Sequence, residues 1–303
     1  KPFAEPLVFD PLHGSPLGPA LLGIARHYNS PSFIALDPIS VPRSFLPQGR
    51  LTRERGLEYH PANVEIAALV AAHLAWGRRD IILAKSWDLL QRMDLEPRRF
   101  LMEASASEWQ RLKGFVHRTF QDSDMLWMLG KWSAYLEEHG SLETMFAGPT
   151  VRDGLHRYAS LMKEGLETGD RMHKHFASPA QGSACKRMNM LLRWMVRDDD
   201  QGVDMGLWKI HSMRDLHLPL DVHSTSTAMA LGLLPAKATP NWKAVEILGI
   251  EARQICPDDP ALLDFALFGL GEEALRSGVP LSDFLRQCMK PDGKGFIPEQ
   301  EGL

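Results

Sequence analysis

Apolar residues recur along most of this chain at intervals of three and four, the period of a helix with one buried face. Between Asn63 and Trp76 the repeat runs through Val64, Ala67, Ala68, Ala71 and Ala75, which predicts a helix that packs closely through small residues. Gly77 interrupts it, and a second helix is expected over Asp80–Met93 with Ile81, Ile82, Leu89 and Leu90 inward. The junction Leu74–Arg79 is therefore a helix–helix corner bearing an indole and two guanidiniums. Pro97 starts a further short helix. Asp124–His139 reads as a helix with Leu126, Leu129, Trp132 and Leu136 on one face, stopped by Gly140. Ser141–Phe146 and Val151–Glu167 follow, the latter with Leu155, Tyr158 and Leu161 buried.

The pattern changes at Gly182–Val196. Pro179 and Gly182 make a tight polar turn, and Ser183 is placed to cap a helix whose Met188, Leu191, Leu192 and Met195 form a buried stripe. Lys186 then lies in the first helical turn, where exposed N–H groups disfavour a cation. Asp198–Gly202 is an acidic turn, and Asp221 sits at the start of a helix over Ser224–Leu231 that Gly232 closes. Trp242–Ile255 and the mostly apolar Asp259–Leu270 are helical; Glu272–Arg276 and Leu281–Met289 complete the series. Phe33–Pro42 reads as a short strand or loop. With no fixed repeat and no strand–helix alternation, the class is all-α.

Three stretches follow from this. Residues 1–32 are rich in Pro and Gly and read as an irregular arm with one short helix near Leu21–His27; 33–289 form the helical domain; 290–303 are a tail.

Composition narrows the chemistry. A chain of 303 residues buries about 75% of its unfolded surface and needs no disulfide or metal to fold. The formal net charge of -4 argues against coating nucleic acid by charge alone, while leaving room for a local basic patch. Cys185, Cys256 and Cys288 are far apart and without ligand spacing, which fits a reducing cytoplasm. No apolar run reaches membrane-spanning length, no signal-peptide pattern opens the chain, and a start at Lys1 suggests that the natural N-terminus is missing.

Lys290–Glu301 partly mimics a calcium loop, with Lys290 and Lys294 at ligand positions; a tail is the better reading. His211, His217 and His223 cluster with Asp215 and Asp221 but without zinc spacing, so no metal or other cofactor is expected. A metal-dependent helical hydrolase is the least favoured reading. What remains is Lys186 with Asp221. An amine held neutral can attack a sugar C1′ and form a Schiff base, and a nearby carboxylate can move protons and stabilise positive charge on the sugar.

The same residues carry a resemblance. Gly182–Lys186 (Gly-Ser-Ala-Cys-Lys), followed by Leu192-Arg193, resembles the hairpin of the helix-hairpin-helix DNA glycosylases, above all the 8-oxoguanine DNA glycosylase branch, which reads Gly-x-Gly-x-Lys and then Phe-Leu-Arg. Lys186 falls on that branch's catalytic lysine, within a hairpin motif spanning about 176–197. Leu218–His223 is similar to the Val-Asp-x-His segment, with Asp221 on the catalytic aspartate. The corner at Trp76 and Arg78 falls where wedge or pocket residues lie, and Asp259–Leu270 looks like the late helix that closes the pocket. The segments Leu36–Ser40, Ala75–Arg79, Ala184–Asn189, Leu192–Val196 and Asp264–Gly271 together resemble a bacterial family labelled as a domain of unknown function, over roughly residues 30–290.

Two departures stand out. The second hairpin glycine is Ala184, and Lys186 lies 35 positions before Asp221, a longer interval than in classical members, which marks Asp198–Leu216 as an insertion. No iron–sulfur ligands follow.

The resemblance implies two helical halves around a cleft and a base-excision glycosylase, with or without abasic-site lyase activity. Its partner would be double-stranded DNA with a damaged or modified base; no membrane and no obligate protein partner are implied. Lys186 and Asp221 would be catalytic. Gly182, Ser183, Arg187, Arg193, Trp76, Arg78, Arg79 and His223 would bind DNA. The rival is a non-catalytic nucleic-acid-binding module on the same scaffold.

Overall fold

The computed structural model describes residues 17–288. Its elements run α1 (Leu17–Tyr28), α2 (Ser40–Arg43), α3 (Arg50–Arg55), α4 (Pro61–Leu74), α5 (Arg79–Arg92), α6 (Pro97–Glu103) and α7 (Ala106–Trp109). A two-residue antiparallel pair, β1 (Val116–His117) and β2 (Phe120–Gln121), comes next. Then follow α8 (Asp122–His139), α9 (Val151–Lys163), α10 (Lys186–Val196), α11 (Val222–Ala230), α12 (Trp242–Ile255), α13 (Leu263–Ser277) and α14 (Leu281–Cys288), with short 3-10 turns between them. The all-α expectation holds: among the described residues the small hairpin is the only sheet. The calcium-like stretch Lys290–Glu301 lies outside the described residues, as do positions 1–16 of the expected arm.

Helix α4 is the pillar of the first half. From Val64 to Leu74 every side chain is buried; most are small and apolar, and the two polar ones are bonded inside, Glu65 to Ser141 Oγ, Leu142 N–H and Trp208 Nε1, and His73 to the Tyr158 hydroxyl. His60 Nδ1 accepts from Ala62 N–H at 3.1 Å and Pro61 opens the first turn, so the helix start is capped. α4 packs against α2, α5, α6 and α10. It ends at the corner Ala75–Arg78, where Gly77 has φ 114°, a backbone position costly to any residue with a Cβ. Helix α13 plays the same part in the second half, packing on α1, α11 and α14.

Some elements differ from the sequence reading. The helix near Leu21–His27 is longer, Leu17–Tyr28, and belongs to the core: Leu17, Leu21 and Ala25 are buried against α13. Their i, i+4, i+8 spacing is helical, but Pro and Gly nearby mask it. The contact is close, since a Cβ on Gly269 would meet the Tyr28 ring at 2.3 Å. Phe33–Ile39 is a run of turns leading into α2, not a strand. Leu126 of α8 is exposed, whereas Met125, Met128, Leu129 and Trp132 face inward. Glu272–Arg276 is not separate but continues α13.

The acidic segment after α10 folds back instead of standing in water. Val203 and Trp208 are fully buried, and Arg43 Nη1 donates to Val203 O at 2.6 Å. Arg197 gathers the segment. It bonds Asp259 through Nε and Nη2 (2.9 and 2.8 Å), Asp204 at 2.8 Å, Asp199, and Asn29 at the end of α1. Two carboxylates of this segment, Asp199 and Asp204, are thereby paired with Arg197 inside the fold.

Two histidines, buried His175 and partly buried His217, make stability depend on acidity. His175 is stacked on Phe120 at 3.9 Å, and burial pushes its pKa down to about 4. His217, against Trp242, is likewise lowered to about 4 by burial and by Arg253. Between about pH 4 and 6.5 the unfolded chain binds more protons at both sites, so stability falls on acidification through that window. Each costs up to about 2 kcal/mol at pH 5. Asp264, raised to about 6, and Asp204, also raised by burial, oppose them, while fully buried His73, pushed well below its ordinary value, acts with them. The melting temperature should be lower at pH 5 than at pH 7, and His217→Gln should narrow the gap; equal melting temperatures at the two pH values would contradict this.

Candidate functional site

Helix α10 begins abruptly. Its N-cap residue, Cys185, has φ 47° and ψ 38° and contributes no side-chain cap. Ser183, expected to cap the helix, uses its Oγ to accept from Cys185 N–H at 3.1 Å. The turn is tied down elsewhere: Trp242 N–H donates to Gly182 O at 2.9 Å, and Asn189 Nδ2 donates to Ala184 O at 3.0 Å. These bonds place Lys186 at the first helical position with its side chain aimed at the start of α11.

That start is held by Asp221. Its Oδ1 accepts from the N–H groups of His223 (2.9 Å) and Ser224 (3.0 Å), while Ser224 Oγ accepts from Asp221 N–H, a reciprocal cap. The second carboxylate oxygen is turned the other way, and Lys186 Nζ lies 3.8 Å from it. Both side chains are about one-third to two-fifths exposed, at 35% and 40%. The pair inferred from the sequence meets in space.

Around it opens a cleft of about 810 Å³. The α4–α5 corner (Trp76, Arg79) forms one wall and the start of α11 (Asp221, Val222, His223) the other. Lys186, Arg187 and Met190 of α10 and Phe268 of α13 line it between them. Trp76 is 43% exposed, and the Arg118 guanidinium from the β1–β2 turn lies 4.5 Å from its ring centroid. Arg79 sits over the Phe268 ring at 5.5 Å and pairs loosely with Glu272 at 3.5 Å. Arg187 Nη1 donates to His73 O at 2.6 Å; among the described residues no carboxylate oxygen lies within 4.0 Å of its guanidinium. Burial lowers its pKa from the ordinary arginine value.

Four expected DNA contacts stand elsewhere. Gly182 and Ser183 do not line the cleft, and their N–H groups already donate to Pro179 O and Ser178 O. Arg78 points into water, paired with Asp80 at 2.6 Å. Arg193 is buried over Phe265 and bound to Asp264 and Asp204, so its charge is spent within the protein. Trp76, Arg79, Arg187 and His223 do reach the cleft. The histidine cluster does not converge: His211 bonds Phe146 O, His217 packs on Trp242 and His223 stands at the cleft. Among the described residues no three His, Cys, Asp or Glu side chains are placed to hold a metal.

Sequence reasoning missed Arg118, Lys174, Asp37 and Asp264. Asp264 had a signal, a carboxylate alone in the apolar run Leu262–Leu267. Arg118 had none, because its place depends on a two-residue hairpin.

The fold and cleft define a helical protein with a lysine–carboxylate pair in a basic, aromatic-rimmed groove. The chain belongs to the family described as a protein of unknown function (DUF2400), which matches residues 57–273. No curated protein and no solved structure matches it. Among the described residues no helix is long and apolar enough to cross a membrane.

Proposed function

We propose that this protein is a DNA base-excision glycosylase with abasic-site lyase activity, acting on a base extruded from double-stranded DNA. The observation that carries the reading is the meeting of Lys186 and Asp221, 3.8 Å apart, in a cleft lined by Trp76, Arg79, Lys174 and Arg187, with Arg118 over the Trp76 ring beside it. Extrusion costs a few kcal/mol, which phosphate contacts and an aromatic rim offset. Neutral Lys186 forms a bond to C1′ while the C1′–N bond breaks, its electron pair leaving with the base. Asp221 takes the proton that the new ammonium releases and stabilises positive charge on the sugar. Ring opening gives an imine. Loss of a C2′ proton then breaks the C3′–O bond, and water returns the free amine.

The test is borohydride trapping on duplexes bearing an abasic site, 8-oxoguanine or uracil. A covalent adduct with the abasic duplex supports the reading; absence of an adduct with every duplex overturns the lysine mechanism and leaves the binding-module reading ahead.

The cations in the cleft and over its Trp76 wall carry a second expectation. Arg79→Gln and Arg118→Gln should each weaken binding to an abasic-analogue duplex and lower the slope of log K against log salt by about one unit. Anisotropy titrations between 50 and 200 mM salt, roughly the range over which such contacts titrate, measure this. Unchanged slopes would remove these arginines from the DNA path.

A further inference from the structure

His175 closes the 3-10 turn Arg171–His175 and lines the large cleft, although only 4% of it is exposed. Its ring is fixed on two sides. It stacks on Phe120 at 3.9 Å, and its Nε2 lies 3.4 Å from Asp124 Oδ2. That buried carboxylate accepts from Arg171 Nη2 (2.6 Å) and Nη1 (3.0 Å) and from Gln121 N–H (2.9 Å). It is therefore ionised, and the ring nitrogen that faces it carries the proton. Burial, with the Lys174 and Arg187 charges behind it, outweighs the pull of Asp124 and keeps the ring neutral. Nδ1 has no hydrogen-bond partner among the described residues and is left as an acceptor. A polar side chain this deeply buried is seldom left unbonded, so the missing partner points to a ligand.

Arg187 stands beside it. Its guanidinium packs on the same Phe120 ring at 6.0 Å and lines the same cleft. Nη1 is taken by His73 O, and its other N–H groups have no hydrogen-bond partner among the described residues. The wall thus offers a bare acceptor next to unused donors. A flipped base is read by hydrogen bonds to its edge. A lactam edge sets an N–H donor beside a C=O acceptor; an amidine edge sets a bare ring nitrogen beside an NH2 group. Only the first complements an acceptor beside a donor. We infer that His175 and Arg187 select a lactam base, its ring N–H donating to His175 Nδ1 and its C=O accepting from Arg187. The inference rests on the glycosylase reading and names its substrate class. Uracil and hypoxanthine carry the lactam edge, whereas cytosine and adenine, from which deamination makes them, carry the amidine edge. Guanine and thymine share the lactam edge, but stable pairing holds them in the stack. The cleft of about 810 Å³ has room for a base and its sugar, and Lys186 and Asp221 line it too.

The experiment compares wild type with His175→Phe, which keeps a ring on Phe120 and leaves Asp124 to Arg171. The duplexes differ at one base: uracil, hypoxanthine, or the analogues 2-pyrimidinone and purine, which lack the ring N–H and one C=O beside it. Single-turnover release gives a ratio of wild-type to variant rate for each base, in which the intrinsic leaving ability of the base cancels. Borohydride trapping is run on a preformed abasic site. The ratio should be about 10 to 10² for uracil and hypoxanthine and near one for 2-pyrimidinone and purine. Both proteins should trap the abasic site equally, since no base is there to be read. Equal ratios for the lactam bases and their analogues overturn the inference, as do ratios near one throughout. Trapping of the abasic site by wild type with no release of uracil or hypoxanthine overturns it too. If His175→Phe fails to fold, wild-type affinity decides. On uncleavable 2′-fluoro sugars, hypoxanthine should bind at least about 10-fold tighter than purine, and equal affinity overturns the inference. Failure of wild type both to trap the abasic site and to release any base would instead sink the glycosylase reading itself.

Discussion

Lys186→Ala should abolish covalent trapping on abasic-site DNA and lower strand incision by at least about 10³-fold, the scale of losing a nucleophile. The fold should tolerate the change. Lys186 is at the first position of α10, its side chain is about one-third exposed, and among the described residues its ammonium makes no hydrogen bond short enough to anchor the turn. Alanine is the best helix former, and a cation at a helix start is unfavourable to begin with. Melting temperatures of variant and wild type should therefore agree, so that lost chemistry cannot be put down to lost structure. Asp221→Asn is the companion, because asparagine also caps helices. It keeps the carbonyl oxygen that accepts from His223 and Ser224 while removing the charge opposite Lys186. It should slow incision by about 10²- to 10⁴-fold with α11 intact. Normal trapping by Lys186→Ala would end the assignment of the nucleophile; normal incision by Asp221→Asn would end that of the proton acceptor.

Arg197→Met should destabilise the protein by roughly 3–5 kcal/mol. Arg197 is 1% exposed and bonds three aspartates, of which Asp204 is fully buried. Methionine fills much of the volume but, among the described residues, leaves Asp204 with Arg193 at 3.4 Å as its remaining cationic partner and leaves Asp259 without one. The loss comes from uncompensated buried carboxylates, not from a large net gain in making the network, because buried ion pairs roughly break even against desolvation. A melting temperature lower by at least about 6 °C is expected. Replacing Arg197 together with Asp204 and Asp259 by apolar residues should recover part of it. An unshifted melting temperature for the single variant would show that the carboxylates find other partners or take up protons at little cost.

The two halves of the site were unequally legible. Asp221 announced itself because capping is local: a carboxylate just before a helix has a nearby function whatever the rest of the chain does. Lys186 announced itself by being misplaced, a cation where a helix start disfavours one. Trp76 and Arg79 were drawn from a corner that helical periodicity alone locates. Arg193 misled because its spacing on α10 is compatible with either face of the helix, and only the packing of α13 and of the 198–216 segment decides that it faces inward to Asp264 and Asp204. Gly182 and Ser183 misled for a related reason. Their N–H groups are spoken for by contacts within the turn that residue type does not reveal.

By itself the sequence determined what period, cap and composition can encode: an all-α chain, most helix boundaries, the turn before Lys186 and the cap at Asp221. Each of those depends on residues within a turn or two of one another. Tertiary structure decided what depends on distant segments. It set Lys186 against Asp221 and Arg118 over Trp76, folded the acidic segment onto Arg197, and placed Asp264 in a small cavity shared with Lys186 and Asp221. Those outcomes are fixed by the desolvation of charges that meet only when helices far apart in the chain pack together.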